Sequence, residues 1–227
     1  MRRKILALVA LAALLLPAMP VAAAGNAFHF SATGKGAEAG WTTFPADGIP
    51  VTNVVYTDTF LFTAEQAIKA DGEVFSDKFL FIDQFSYKFD RSGNFIFVGE
   101  TFGFAGGSDV NLSVNSKLTS ASVTASVALQ ICTVDRRGNF TCADAGIGSV
   151  AASWSEQGDL IRSNGVSHFG SPGSTQNSHF RGSFRNATAS GSLNGAIIDG
   201  SPFFADIFSS TSRDVFICHG PGACGVG

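Results

Sequence analysis

Three carboxylates interrupt apolar strand patterns in the first half of the chain, at Asp58, Asp83 and Glu100. Their alternate neighbours are aromatic or aliphatic: Val54, Tyr56, Phe60 and Phe62 around the first; Phe79, Phe81, Phe85 and Tyr87 around the second; Ile96, Val98, Phe102 and Phe104 around the third. A carboxylate on an apolar face has a raised pKa or is paired with a donor, and either condition can mark a site. Asp58 and Asp83 are therefore candidate ligand-binding or acid–base residues.

Two nearly identical heptapeptides, Phe89–Phe95 (FDRSGNF) and Val134–Phe140 (VDRRGNF), could be copies of a site or of a turn. In each, an Asp opens a segment in which Gly is fourth and Asn fifth, which is the pattern of a type I turn followed by a G1 bulge. A calcium loop needs acidic residues at alternate positions and Gly at the sixth. The repeat therefore predicts two β-hairpins and no calcium site.

The turn fixes the register of the first hairpin, because Asp90 must pair with Asn94. The expected pairs are Phe89 with Phe95, Tyr87 with Phe97, Phe85 with Gly99, Gln84 with Glu100, and Asp83 with Thr101. Successive residues of a strand point to opposite faces. This register therefore predicts that Asp83 and Glu100 lie on opposite faces of the sheet and do not form one site.

The same rule places two of the four cysteines opposite each other in the second hairpin. Cys132 is expected to face Cys142, within disulfide reach. Four cysteines in a secreted chain should pair. The remaining two, Cys218 and Cys224, are then expected to form the second disulfide.

Two further turns are predicted from local sequence. The segment Ser155–Asp159 (SEQGD) repeats the hairpin pattern and predicts that Trp154 faces Leu160. The Asn194-Gly195 pair is typical of a two-residue hairpin turn.

The chain as a whole has the composition of an all-β protein, with 22 Phe and 26 Gly. We expect an antiparallel meander of about 9–10 strands that closes as a barrel, with a two-sheet sandwich as the alternative. One short helix is allowed near residues 64–70, where Thr63 and Gln66 form a capping box and Gly72 follows.

The two ends of the chain differ in character. Residues 1–24 begin with Arg2-Arg3-Lys4, continue with an apolar run and end in Ala22-Ala23-Ala24, which is the pattern of a secretory signal peptide. Residues 25–227 are then expected to form a single all-β domain, secreted or periplasmic, without an integral membrane segment. Removing the three basic residues of the signal leaves 15 − 3 = 12 basic against 18 acidic residues, a net charge of −6. This charge argues against nucleic acid as a partner.

No motif of metal, cofactor or nucleophilic chemistry is present in the chain. The histidines are dispersed without the spacing of a metal site: His29, His168, His179 and His219. There is no G-x-S-x-G elbow and no glycine-rich phosphate loop ahead of a helix. We therefore predict no metal and no cofactor.

The aromatic strand face of the first hairpin carries the functional prediction. We expect it to form core or, in a barrel, to line a cavity for a small apolar molecule. The candidate ligand-binding residues are Asp58, Phe81, Asp83, Phe85 and Tyr87. The sequence thus predicts a non-enzymatic secreted barrel that binds a small apolar ligand or a cell-surface component. The alternatives are a small-barrel hydrolase or isomerase with a lumen carboxylate, and a structural surface or matrix protein.

Overall fold

A computed structural model describes residues 27–70, 72–135, 137–171 and 174–218; the predicted signal peptide and Cys224 lie outside these ranges. The described chain is almost entirely antiparallel β-sheet. Its strands are β1 Ala27–Thr42, β2 Val55–Ala70, β3 Glu73–Phe89, β4 Phe95–Gly106, β5 Val110–Val114, β6 Ser120–Val134, β7 Phe140–Glu156, β8 Ile161–Ser171, β9 Ser174–Leu193, β10 Ala196–Ile197 and β11 Ser201–Cys218. One 3₁₀ turn, Gly107–Asp109, joins β4 to β5.

Eight of these strands form a closed ring in the order β1-β2-β3-β4-β6-β7-β9-β11, and β11 pairs again with β1. The remaining three are additions, with β5 on β6 and with β8 and β10 on β9. The predicted all-β, barrel-like closure is therefore confirmed. Closure satisfies the backbone groups that an open meander would leave unpaired at its edges.

The interior of the ring is filled by side chains from all around the sheet. The largest fully buried side chains include Trp41, Trp154, Leu61, Leu80 and Ile82. Trp154 of β7 reaches across to β1, where its indole Nε1 donates to the backbone oxygen of Glu38 at 2.9 Å. Alanine, valine, leucine and isoleucine side chains fill the remaining core positions. The centre of the ring is thus a packed core.

Six strands continue beyond the closed ring as an open sheet. The first part of β3, up to Lys78, pairs only with β2, and β8 pairs only with β9. Between these two edges lie β9, β11, β1 and β2. One face of this open sheet continues the inner face of the ring, and the other continues its outer face.

Both repeated heptapeptides form the predicted turns. Gly93 and Gly138 have φ angles of 79° and 84°, which a glycine tolerates without strain. In each turn the first Asp accepts hydrogen bonds from backbone N–H groups of the turn, at 2.7–2.9 Å. Hydrogen bonds from Asn94 and Asn139 hold the pKa of Asp90 and of Asp135 below the ordinary range. The recurrence is a repeated turn.

The Cys132–Cys142 disulfide is present, with an S–S distance of 2.07 Å. The two cysteines are direct cross-strand partners of β6 and β7, as the turn rule predicted. The predicted partner of Cys218, which is Cys224, lies outside the described residues.

The first hairpin departs from its predicted register beyond Tyr87. A β-bulge adds one residue to β4 at Val98, so that Ser86 pairs with Gly99. The pairs that follow are Phe85 with Glu100, Gln84 with Thr101, and Asp83 with Phe102. The prediction that Asp83 and Glu100 lie on opposite faces is therefore wrong, because the extra residue reverses the facing of β4 relative to β3.

Two local predictions are also wrong, for tertiary reasons. Residues 64–70 belong to β2 and form no helix, because they pair along their whole length with β1 and β3. The Ser155–Asp159 segment turns a corner instead of closing a hairpin. Trp154 faces Ala121 and Ala189 rather than Leu160, and β7 and β8 each pair with a different part of β9. The Asn194-Gly195 turn forms as predicted.

The aromatic face of the first hairpin points away from the ring. Leu80 and Ile82 of β3 belong to the central core, and they alternate with Phe79, Phe81 and Asp83. The expectation that these aromatic residues form the core or line a lumen cavity is therefore wrong. Strand β3 turns its Leu and Ile side chains inward, so the phenyl rings at the alternate positions pack on the outer face of the sheet.

Candidate functional site

The structure brings the five predicted ligand-binding residues together on one patch of the outer face. Phe81, Asp83, Phe85 and Tyr87 alternate along β3, and Asp58 of β2 is the direct cross-strand partner of Phe85. They share a face because they occupy alternate positions or face each other directly. The patch lies on the outer side of the ring, so neither Asp58 nor Asp83 is a lumen carboxylate.

Asp83 lies at the centre of a group of phenyl rings. Its direct cross-strand partners are Phe60 of β2 and Phe102 of β4, and its same-face neighbours along β3 are Phe81 and Phe85. Cross-strand partners on one face have Cβ atoms about 5 Å apart. The carboxylate is thus framed by four aromatic side chains.

The bulge in β4 places Glu100 diagonally across from Asp83. Glu100 pairs with Phe85 and with Cys132 and therefore faces the same side as Asp83. Burial raises the pKa of Asp83 to about 6, and the negative charge of Glu100 adds to the rise. The Asp83 Oδ1 atom is buried and has no hydrogen-bond partner. Such an atom would gain from a cation or donor placed over it.

Asp58 is better satisfied than Asp83. It accepts a hydrogen bond from Thr42 Oγ1 at 2.5 Å, and the Tyr87 hydroxyl lies 3.5 Å from the same oxygen. Burial, followed by the charge of Asp58, raises the pKa of Tyr87. Phe44, from the loop after β1, packs over Tyr87 with ring centroids 6.4 Å apart. Asp58 thus anchors one end of the patch.

Together, these side chains form a carboxylate–aromatic patch on β2, β3 and β4, made of Asp58, Phe60, Phe81, Asp83, Phe85, Tyr87, Phe97, Glu100 and Phe102. Its rings contact one another at centroid distances of 5.2–6.4 Å. No Lys or Arg occupies the outer-facing positions of these strands within the described residues. A carboxylate and the face of a phenyl ring each present negative potential, so a surface that combines the two groups attracts a cation.

The outer aromatic surface extends beyond this patch. Phe104 at its margin is 53% exposed, and Phe203 on β11 is 56% exposed. Burial also raises the pKa of Asp206, which lies on the outer face of β11. Contiguous exposed apolar surface of this kind marks an interaction site in most soluble proteins.

A separate pocket of about 380 Å³ opens at the end of the ring next to the disulfide. Hydroxyl and amide groups of the inner face line much of it: Thr57, Thr59, Gln84, Ser86, Thr101 and Thr133. They are partly satisfied by one another, through a Thr57–Ser86 hydroxyl contact at 3.0 Å and a hydrogen bond from Gln84 Nε2 to Thr59 Oγ1 at 3.2 Å. The pocket thus combines these polar groups with the apolar side chains of Val98, Ile131 and Ile197.

Sequence reasoning missed one feature of the site and one feature of the opposite face. It set Glu100 apart from Asp83, although Gly99 gave a signal, because a glycine inside a strand often marks a bulge. It also missed the one acidic side chain on the inner face of β2, Glu65, whose carboxylate lies 3.7 Å from Lys35 and 4.0 Å from Lys78. Alternation alone does not tell which face of a strand turns inward.

Neither a cluster of metal-ligand side chains nor a membrane-spanning helix occurs in the described part of the chain. No three His, Cys, Asp or Glu side chains gather there in an arrangement that could hold a metal ion. No helix there has the length and apolarity needed to cross a membrane.

Comparison with known proteins gives a weak structural similarity and no sequence match. No protein-family model and no curated protein sequence matches the chain. Among solved structures, one similar fold is an acetoacetate decarboxylase-like enzyme from Sphingomonas wittichii RW1, at 9% sequence identity and a TM-score of 0.36. The match covers 86% of this chain and 94% of that one. A likeness this weak carries no argument about activity.

Proposed function

We propose that the protein is a non-enzymatic, extracytoplasmic binding protein whose carboxylate–aromatic patch takes an apolar ligand bearing a positively charged group. The observation that carries the proposal is Asp83, whose buried Oδ1 has no partner and whose side chain is framed by phenyl rings. The predicted signal peptide and the Cys132–Cys142 disulfide support a location outside the cytoplasm.

The chemistry of the patch favours a cation over other apolar ligands. Phenyl faces contribute about 0.5–2 kcal/mol each to a cation held above them, depending on how far it is desolvated. A cation also relieves the repulsion between Asp83 and Glu100, which an anion would increase. The half-buried rings around these carboxylates supply apolar surface for the rest of the ligand.

The test compares three amphiphiles with the same alkyl chain and different head groups. Octyltrimethylammonium, octyl sulfate and octyl glucoside are titrated into the mature protein below their micelle concentrations, and heats of binding are measured. We expect the cation to bind at least about 10-fold more tightly than the anion, with the neutral ligand between them. Equal binding of all three, or preference for the sulfate, would overturn the proposal.

Matched variants locate the site. Asp83→Asn and Phe85→Ala should each weaken cation binding by about 5- to 10-fold, because each removes one attractive group. The controls are Asp159→Asn and Phe169→Ala, which change an exposed carboxylate and an exposed ring away from the patch. Loss of binding in the controls as large as in the patch variants would show that the ligand binds elsewhere.

An enzyme that uses Asp83 as a general acid–base is the second candidate. The pKa of about 6 favours it, since a carboxyl with such a value exchanges protons near neutral pH. For a substrate identified by screening, a catalytic role predicts an inflection near pH 6 in the rate that Asp83→Asn removes. If Asp83→Asn changed only the affinity for the substrate, Asp83 would have a binding role and no catalytic role.

A further inference from the structure

The inner face of the open sheet carries most of the cationic side chains of the described chain. They come from six strands: Lys35 on β1, Lys69 on β2, Lys78 on β3, Arg162 on β8, Arg181 on β9 and Arg213 on β11. Three histidines occupy the same face: His29, His168 and His179. We call this surface the basic inner face.

Strand register places these residues in rows across the sheet. One row across the six strands contains Val166, His179, Arg213, Ser31, Lys69 and Val74. A second row, which lies two rows away on the same face, contains Arg162, Ser183, Ser209, Lys35, Glu65 and Lys78. Direct cross-strand partners share a face, so the whole array points the same way. With strands about 4.8 Å apart, six of them span roughly 24 Å.

The charges on this face are largely uncompensated. Glu65 is the only acidic residue among its described positions, and two lysines already lie within 4.0 Å of it. In the described structure, Lys69, Arg162, Arg181 and Arg213 have no carboxylate within 4.0 Å of their side-chain nitrogens, and all four are exposed. The outer positions of the same strands hold acidic and aromatic residues and no Lys or Arg.

We propose that the basic inner face binds an anionic polysaccharide, a linear chain that carries sulfate or carboxylate groups. The array extends across six strands, which fits an extended polymer better than a single small anion. Hydroxyl and amide side chains lie between the cations, where they can bond sugar hydroxyls: Ser31, Thr33, Ser76, Asn164, Asn177, Ser183, Ser209 and Thr211. This binding is independent of the carboxylate–aromatic patch on the opposite face.

The composition of the face disfavours other polyanions. Its described positions contain no Phe, Tyr or Trp, whereas single-stranded nucleic acid is usually held by aromatic rings that stack on the bases. Its exposed apolar side chains include Val74 and Val166, but its described positions contain none of the Trp, Phe or Leu that anchor a protein in a lipid surface. Since the mature chain has a net charge of −6 (12 − 18), any such binding must come from this local array.

The test measures binding of the mature protein to a heparin-type sulfated polysaccharide, with uncharged dextran, duplex DNA and anionic phospholipid vesicles as competitors. We expect the sulfated chain to bind, the affinity to fall steeply with added salt, and dextran not to compete. Absence of binding at low salt would overturn the proposal. Tighter binding of DNA or of vesicles would overturn the assignment to a polysaccharide.

Two double variants test whether polysaccharide binding depends on the basic inner face or only on the total charge of the protein. Arg181→Gln with Arg213→Gln should weaken polysaccharide binding by about 10-fold, since both guanidinium groups are exposed and unpaired. Arg91→Gln with Lys117→Gln removes the same charge from exposed turn positions and should change it less than about 2-fold. Equal effects of the two would contradict the proposal. Asp83→Asn should leave this binding intact, so failure of one site is distinguishable from failure of the other.

Discussion

The two faces of β3 both carry apolar side chains at mid-strand, but those side chains have opposite surroundings. Leu80 and Ile82 are fully buried in the ring, whereas Phe79, Phe81 and Phe85 on the other face remain partly exposed. Strand facing explains the difference, because Leu80 and Ile82 point into the closed ring and the phenyl rings point out of it. The Phe side chains of β3 therefore lie on the outer surface of the ring rather than in its core.

The largest expected effect contrasts these two faces directly. Ile82→Ala should lower the free energy of unfolding by about 3 kcal/mol, because it leaves a cavity in a closed core. Phe81→Ala should cost about 1 kcal/mol, because the ring is only partly removed from water. Urea denaturation of both variants measures the values. A larger loss for Phe81→Ala would mean that the faces are assigned the wrong way round.

The disulfide holds the outer side of β6 and β7 together by a covalent bond instead of by packing. Replacing Cys132 and Cys142 together with Ala should cost up to about 3 kcal/mol by the loop-entropy estimate. Thermal unfolding of the oxidised protein and of the double variant gives the difference. No change in stability would show that the hairpin is held by its strand pairing alone.

Aromatic rings on the outer face pack over glycines of β1. A Cβ atom on Gly36 would lie 2.2 Å from the Thr63 carbonyl oxygen and 2.7 Å from the Phe208 ring. Gly36→Ala should therefore destabilise by about 2 kcal/mol. The matched control is Gly165→Ala on β8, where nothing lies within 4 Å, and it should stay within about 0.5 kcal/mol. Similar effects of the two changes, measured by denaturant unfolding, would argue against this packing.

The smallest expected effect is a gain in stability at Asp83. Because its folded-state pKa of about 6 exceeds the ordinary value of 3.8, the folded protein binds this proton more tightly than the unfolded chain. The stabilisation of the fold by this bound proton is therefore fully present below pH 3.8 and is lost as the pH rises through 6. Allowing for solvent screening of a half-exposed group, Asp83→Asn should stabilise by about 1 kcal/mol at about pH 8 and by almost nothing at about pH 3.5.

The control for this prediction is Asp159→Asn, which changes an exposed carboxylate outside the patch. Unfolding of both variants is followed across the same pH range. A gain from Asp83→Asn that did not depend on pH would point to packing instead of charge.

Local sequence predicted the features that local geometry decides. The two DR-x-GN turns, the Cys132–Cys142 pairing and the Asn194-Gly195 turn each depend on a few adjacent residues, and all of them form. The SEQGD segment has the same local pattern and fails, because β7 and β8 find better partners in two parts of β9. Tertiary pairing therefore overrides turn propensity at that corner.

The candidate site depended on two properties that adjacent residues do not determine. A single bulge at Val98 reversed the facing of Glu100, and only Gly99 hinted at it. The facing of β3 was misread because its more apolar face, which alternation assigns to the interior, points outward. The basic inner face was missed for a related reason, since its residues are scattered from His29 to Arg213 and meet only through six-strand register.

The most direct test of the account is a carboxyl-carbon NMR titration of Asp83 in the wild type and in Glu100→Gln. If the bulge places both carboxylates on the aromatic outer face, Asp83 titrates near pH 6, and its pKa falls part of the way toward 3.8 when the charge of Glu100 is removed. A wild-type value near 3.8, or a value that Glu100→Gln leaves unchanged, would contradict the proximity of the two groups and the patch built on it.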